Sequence, residues 1–191
     1  MELKQAIKDR RSVRRYTDQE ISQADLLEIV EYGSWAPSGT NRQNWHFVIC
    51  KSEESIAKLQ SVMEIGHENF EKYLQATFPN HPKVVGATMN FIKTLGGAKA
   101  CVLAFLKTDD SDKTDEIASV QSVAAALQNM ALVAHEKGIG SCWIAAPLFA
   151  GDAIRNEFAQ DKGMLVSAMT FGYFDKSPTP PARKDGRVEI I

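Results

Sequence analysis

The chain has 191 residues, 44% hydrophobic and 24% charged, long enough for one domain with its own core and ordinary for a globular protein. Its formal net charge of −2 and pI near 6.1 argue against a surface built to coat nucleic acid or an anionic membrane. Cys50, Cys101 and Cys142 are an odd number, each within an apolar stretch, and so read as reduced, buried thiols, not a disulfide framework.

The N-terminus, MELKQAIKDRRS, has no apolar signal core, and no segment is read as reaching the roughly 18 apolar residues of a membrane span. A cytoplasmic protein, bound neither to membrane nor to nucleic acid, is the expectation. Residues 2–10 place Leu3, Ala6 and Ile7 on one helical face. Ser22, three residues before Asp25, resembles a capping box opening a helix through Leu26, Leu27, Ile29 and Val30 that ends near Gly33. Pro37 and Gly39 then break the chain before a buried strand, His46 to Cys50.

Ile56, Leu59 and Met63 mark a short helix. His67 to Leu95 mixes helical pieces with the breaker Phe78-Pro79-Asn80-His81-Pro82; such an insertion is either a lid or a surface excursion. A strand follows at Ala100–Leu106, then a polar surface loop from Thr108 to Glu116. Ile117, Val120, Ala124, Leu127, Ala131 and Ala134 recur at steps of three and four, the clearest helix in the sequence. Its alanine-rich face admits a close neighbour, in the core, at a dimer interface or both. Gly138 and Gly140 end it. Asp152 is expected to cap a short helix through Phe158, and Met164 to Phe171 to form a strand. The tail carries Pro178, Pro180 and Pro181, and its last residues are expected to add to a sheet edge in this chain or a partner. Helices and strands interleave without repeat or linker, so residues 1–191 read as a single α+β domain.

Several chemistries are absent. Gly138 to Trp143 fails the dinucleotide-binding glycine pattern at its third glycine, and there is no phosphate loop of the G-x-x-x-x-G-K-[ST] type and no G-x-S-x-G elbow. The four histidines lack the companions of a zinc site, and His135, inside the alanine-rich helix, reads as structural. Two clusters remain. Arg10-Arg11-Ser12-Val13-Arg14-Arg15-Tyr16 offers guanidinium forks and a hydroxyl suited to phosphate, though by itself it reads more readily as a solvated basic turn. Pro37-Ser38-Gly39-Thr40-Asn41-Arg42-Gln43-Asn44-Trp45 offers hydroxyls and amides able to read a polar heterocycle edge, or is merely a polar loop.

In this order the clusters resemble the nitroreductase family. Its members begin with R-R-S-x-R-x-[FY], matched by Arg10 to Tyr16, followed by P-S-x-x-N-x-Q-x-W, matched by Pro37, Ser38, Asn41, Gln43 and Trp45. The alanine-rich helix then leads into G-[IL]-G-S-x-W-I, matched by Gly138 to Ile144, and a final strand ends in glycine, here Gly172, before a tail with proline and arginine. The resemblance spans the chain except for about residues 60 to 98. It implies a central mixed β-sheet flanked by helices, a homodimer with exchanged C-terminal arms, and FMN between the subunits. Arg10, Arg11, Ser12 and Arg14 would serve its phosphate, ribityl chain and pyrimidine edge. Pro37, Ser38, Gly39, Asn41 and Gln43 would come from the other chain, Ile144, Ala145 and Ala146 would pass the ring, and Arg183 would reach the phosphate. The implied activity is hydride transfer from NAD(P)H through FMN to a nitroaromatic, quinone or similar small planar acceptor, in ping-pong order. A flavin-binding storage or regulatory protein and a flavin-free interaction domain are the alternatives. No catalytic side chain and no metal are implied, because the ring carries the chemistry. Two departures stand out: no proline follows Gly172 closely, and the segment around 60–98 lacks the Glu-x-x-x-Tyr pair of the dehalogenating branch, which counts against a halotyrosine substrate.

Overall fold

In the computed structural model, residues 1–107 and 113–191 are described, 113–115 by backbone alone. Strand β2 (Ala100–Leu106) is buried along its whole length because both faces of the sheet are covered. Its odd residues Cys101, Leu103 and Phe105 face one apolar cluster and its even residues Ala100, Val102, Ala104 and Leu106 the other. β1 (Trp45–Cys50), β3 (Gly140–Ile144) and β4 (Met164–Gly172) complete a sheet of order β1-β2-β4-β3. All three strand pairings are antiparallel. The expected mixed character comes down to one parallel bridge, Ser12 to Ser141, on the free edge of β3.

Helices α1 (Leu3–Asp9), α2 (Gln23–Ser34) and α6 (Lys113–Glu136) gather on the side of the even residues. The α2 cap is formed as the spacing suggests: Asp25 N donates to Ser22 Oγ at 3.0 Å. α2 closes on α6 at Gly33, where an added Cβ would lie 2.5 Å from Met130 Cε. Val123, Ala126, Leu127, Met130, Ala131 and Ala134 of α6 are all buried. The stretch Glu116–Glu136, which holds an 18-residue window of mean hydropathy 1.4, is long and apolar enough to span a bilayer by composition, against the sequence expectation. Its packing is that of a core helix: one face lies on α2 and the sheet.

The opposite face carries α3 (Glu53–Met63), α4 (His67–Thr77), α5 (Pro82–Thr94) and α7 (Gly151–Phe158). The breaker at 78–81 separates α4 from α5 as read. Phe70, Leu74, Val85, Met89, Phe91 and Ile92 are buried in the same cluster as Leu103 and Phe105. The segment 67–94 is thus part of the core. Three further expectations are corrected. Of the polar loop read from Thr108 to Glu116, residues 108–112 lie outside the described part, and Lys113 to Glu116 are already helical. Asp152 stands in the first turn of α7 and is not its cap, because a 3-10 turn over Ala146–Ala150 runs directly into the helix and puts Ala150 at the cap position. Of the two sheet edges open to the C-terminal tail, this chain's own gains no strand from it: residues from Tyr173 on are irregular, and Val188, Ile190 and Ile191 are exposed, which leaves the edge of a partner's sheet. The strand β3 was not foreseen as an element.

Candidate functional site

After α1 the chain turns at Arg10 (φ −56°, ψ 130°) into extended backbone and runs alongside β3. Val13 N donates to Ser141 O at 2.9 Å. Two glycines let this segment lie so close. A Cβ on Gly140 would fall 2.9 Å from Val13 Cβ and 2.7 Å from Phe174 Cδ1, and one on Gly172 would fall 2.6 Å from the Tyr16 ring. Tyr16 locks the far end: its hydroxyl donates to Val13 O at 2.7 Å and lies 2.8 Å from Thr170 Oγ1, and burial pushes its pKa far up. The motif tyrosine and the strand-ending glycine are therefore one contact.

At the near end, Arg10, Arg11, His135, Ser141, Phe174 and Ser177 line a narrow cleft, with almost no free volume, between the C-terminal part of α6 and the start of β3. Burial first, and then the charges of Arg11 and Arg183, press the pKa of Arg10 downward. The three guanidinium groups therefore share one field. Among the described residues none of them is paired with a carboxylate, and the Nε atoms of Arg10 and Arg11 and Nε2 of His135 are buried without a hydrogen-bond partner. Such a concentration of like charge is costly without an anion to receive it. Among the described residues, Arg11 otherwise donates only to the carbonyls of Lys8 and Arg10.

Because the Ser12–Ser141 bridge is parallel, the chain beyond Ser12 and the chain beyond Ser141 run the same way. Four extended residues carry the backbone about 13 Å from Arg10 to Arg14. Arg14 is exposed and lines a groove of about 1030 Å³ with Arg15, Leu74, Phe78, Lys83, Val84, Ala87, Thr88, Phe91, Thr94 and Gly96. α4 and α5 wall it. Its lining carries three cations and no carboxylate. The sequence reading named none of the lining residues from α4 and α5. Ile144 ends β3, and Ala145, exposed, begins the turn at Ala146–Ala150. Here Trp143 Nε1 donates to Ser167 Oγ, which in turn donates to Ile144 O at 2.9 Å.

The second cluster is elsewhere. Pro37, Gly39, Asn41 and Gln43 are exposed, and Thr40, Asn41 and Gln43 hold positive φ of 51°, 56° and 47°, conformations costly for residues with a Cβ. The loop is held by its own bonds: Gln43 N donates to Ser38 Oγ at 3.2 Å and Gln43 Nε2 to Asn41 Oδ1 at 2.8 Å. Gly39 N donates to Ser122 Oγ at 3.2 Å, which fastens the loop to α6. The arginine cleft meets α6 at His135, thirteen residues on, or about 20 Å along the helix axis. In one chain, then, the loop and the arginine cleft meet α6 about 20 Å apart. Arg183, exposed in the tail, acts on Arg10 through its charge and donates to Pro181 O at 3.5 Å. All three cysteines are free and buried, with Cys50 pushed up to about 12 by burial.

Comparison with known proteins adds to this geometry. The nitroreductase family matches residues 7–173. The Bacillus subtilis protein YfhC, which carries a provisional NAD(P)H nitroreductase name, is 26% identical over 179 residues, covering 92% of this chain and 86% of that protein. A BluB-like flavoprotein from Clostridium difficile superposes with a TM-score of 0.76 at 28% identity, covering 96% and 95% of the two chains. The FMN-dependent nitroreductase NfnB from Mycobacterium smegmatis, in complex with NADPH, shares the fold with a TM-score of 0.73 at 18% identity over 98% and 97%.

Proposed function

The chain belongs to the nitroreductase family, and from that premise we propose that it is an FMN-dependent oxidoreductase. It takes hydride from NAD(P)H and reduces a nitroaromatic, quinone or similar planar acceptor, as a cytoplasmic homodimer. The observation that carries this reading is the arginine cleft: Arg10, Arg11 and the half-buried His135 line it, each with a buried orphaned nitrogen, the charge of Arg183 acts on Arg10, and no carboxylate pairs with these arginines among the described residues. That donor set fits a phosphate monoester. Arg10, Arg11 and Arg183 would hold the phosphate, Ser12 the sugar chain, and Arg14, about 13 Å further along, the pyrimidine edge. When bound, FMN supplies the hydride chemistry of its ring. Arg14 would stabilise the negative charge that builds at that edge on reduction, and so raise the potential.

Pro37, Ser38, Gly39, Asn41 and Gln43 would border the ring of the other chain's flavin. Their distance from the arginine cleft of their own chain, about 20 Å along α6, supports a shared site. So do Leu3, Ile7, Leu27, Trp35 and Ile117, apolar side chains left exposed in the single chain. Ile144, Ala145 and Ala146 would lie beside the ring, the two alanines with small side chains that leave its reactive edge clear. The groove walled by α4 and α5 gives donor and acceptor one place to use in turn, which favours turnover over a storage role.

The test is anaerobic addition of NADH or NADPH to the FMN-loaded protein. The yellow absorbance should bleach and return on adding a quinone or nitroaromatic. A bound flavin that neither donor bleaches would refute the reductase reading and leave flavin storage or regulation.

A further inference from the structure

His135 is the one member of the arginine cleft that can change its charge near neutral pH. It stands in the last turn of α6, with its ring lining the cleft beside Arg10, Arg11, Ser141 and Ser177. Its Nε2 is buried and unpartnered, as are the Nε atoms of the two arginines beside it. A histidine satisfied by its own core would have its ring nitrogens paired within the protein. Three residues that line one small cleft thus each carry a buried nitrogen with no partner.

We propose that His135 is a further phosphate-binding residue, donating from Nε2 to the same phosphate that Arg10 and Arg11 hold and taking up a proton as that phosphate is seated. The proposal rests on the reading of the cleft as the FMN phosphate site. Without an anion, burial lowers the pKa of His135; Asp9 on α1 opposes that shift, and Arg10 and Arg11 add to it. The other nearby charges are spoken for: Glu136 is paired with the amino terminus of Met1, and Lys137 with Asp25 and Glu28 of α2. A phosphate carrying nearly two negative charges reverses the local field and favours the imidazolium. The sign follows. The added affinity is fully present below the pKa of the free protein and is lost as pH rises through the higher pKa of the complex. FMN retention is thereby linked to protons through a residue on the core helix.

The experiment titrates flavin-free protein, wild type and His135→Gln, with FMN and separately with riboflavin, by quenching of flavin fluorescence from about pH 5.5 to about pH 8.5. Riboflavin lacks the phosphate. The phosphate's own second proton, lost near pH ~6, affects both proteins alike and cancels in their ratio. The wild type should bind FMN about tenfold more tightly than the variant at the acid end, as expected for one charge-assisted hydrogen bond. That ratio should shrink to about two at the alkaline end, while riboflavin binds both proteins equally. In the wild type, an imidazole proton resonance should show one histidine whose pKa moves up by at least one pH unit on adding FMN, a measurement that needs no variant. A pH-independent ratio, an equal loss for riboflavin, or no histidine that moves would overturn the proposal while leaving the FMN site intact. A wild type that binds no FMN at any pH would overturn the FMN reading itself.

Discussion

Replacing Gly140 with alanine forces the arginine-bearing segment and β3 apart. The new methyl would lie 2.7 Å from Phe174 Cδ1 and 2.9 Å from both Val13 Cβ and Cγ2. Val13 is buried and on the backbone path to Arg14, so it cannot swing away as a flexible side-chain tip would. Overpacking of this kind costs about 1–3 kcal/mol, and stretching the Val13 N to Ser141 O bond adds about 0.5–1.5 kcal/mol. A loss near ~3 kcal/mol should lower the melting temperature by about 6–12 °C for a chain of this size. FMN affinity should fall as well, because Arg10, Arg11 and Arg14 ride on the displaced segment. Thermal and urea unfolding, with a fluorescence titration of FMN, measure both. Gly151→Ala is the control: nothing lies within 4 Å of the added Cβ, and the site opens α7 at φ −55°, so the change should be neutral or stabilising by up to about 1 kcal/mol. Wild-type stability and affinity in Gly140→Ala would refute the claim that this contact sets the position of the arginines.

Arg14→Ala and Arg183→Ala should each weaken FMN binding by about tenfold to a hundredfold, the worth of one charge-assisted hydrogen bond, in a fluorescence titration; unchanged affinity in both would mean that the phosphate and pyrimidine ends are misplaced. Light scattering of the FMN-loaded protein should give the mass of a dimer even when dilute, and a stable FMN-loaded monomer would remove the shared-site model. Initial-rate kinetics should give parallel double-reciprocal lines, with flat aromatic acids competing with the donor. Intersecting lines with a demonstrable ternary complex would refute a single groove used in turn.

Sequence reasoning reached the parts of this molecule that are set locally. The Ser22 cap, the α6 periodicity and the strands β1, β2 and β4 are decided by residues close in the chain. β3 escaped it because Gly140 and Ser141 carry no strand signal; the strand exists through its pairing with β4 and through the arginine segment laid against Gly140. The groove lining escaped for a similar reason. Leu74, Phe78, Val84 and Phe91 look like ordinary helix residues until α4 and α5 fold against the sheet. The tail's tendency to pair at a sheet edge was read from its sequence, but its prolines and its exposure leave it irregular in one chain. His135 reads as structural in the sequence because periodicity alone places it on the helix; the orphaned Nε2 beside two orphaned guanidinium nitrogens sets it apart.

The central claim is that the arginine cleft holds the phosphate of FMN, and the most direct measurement is chromatography of the cofactor released when the purified, FMN-reconstituted protein is denatured after extensive dialysis. FMN, close to one per chain, is the expected result. Recovery of FAD alone, or of no flavin after exposure to excess FMN, would contradict it.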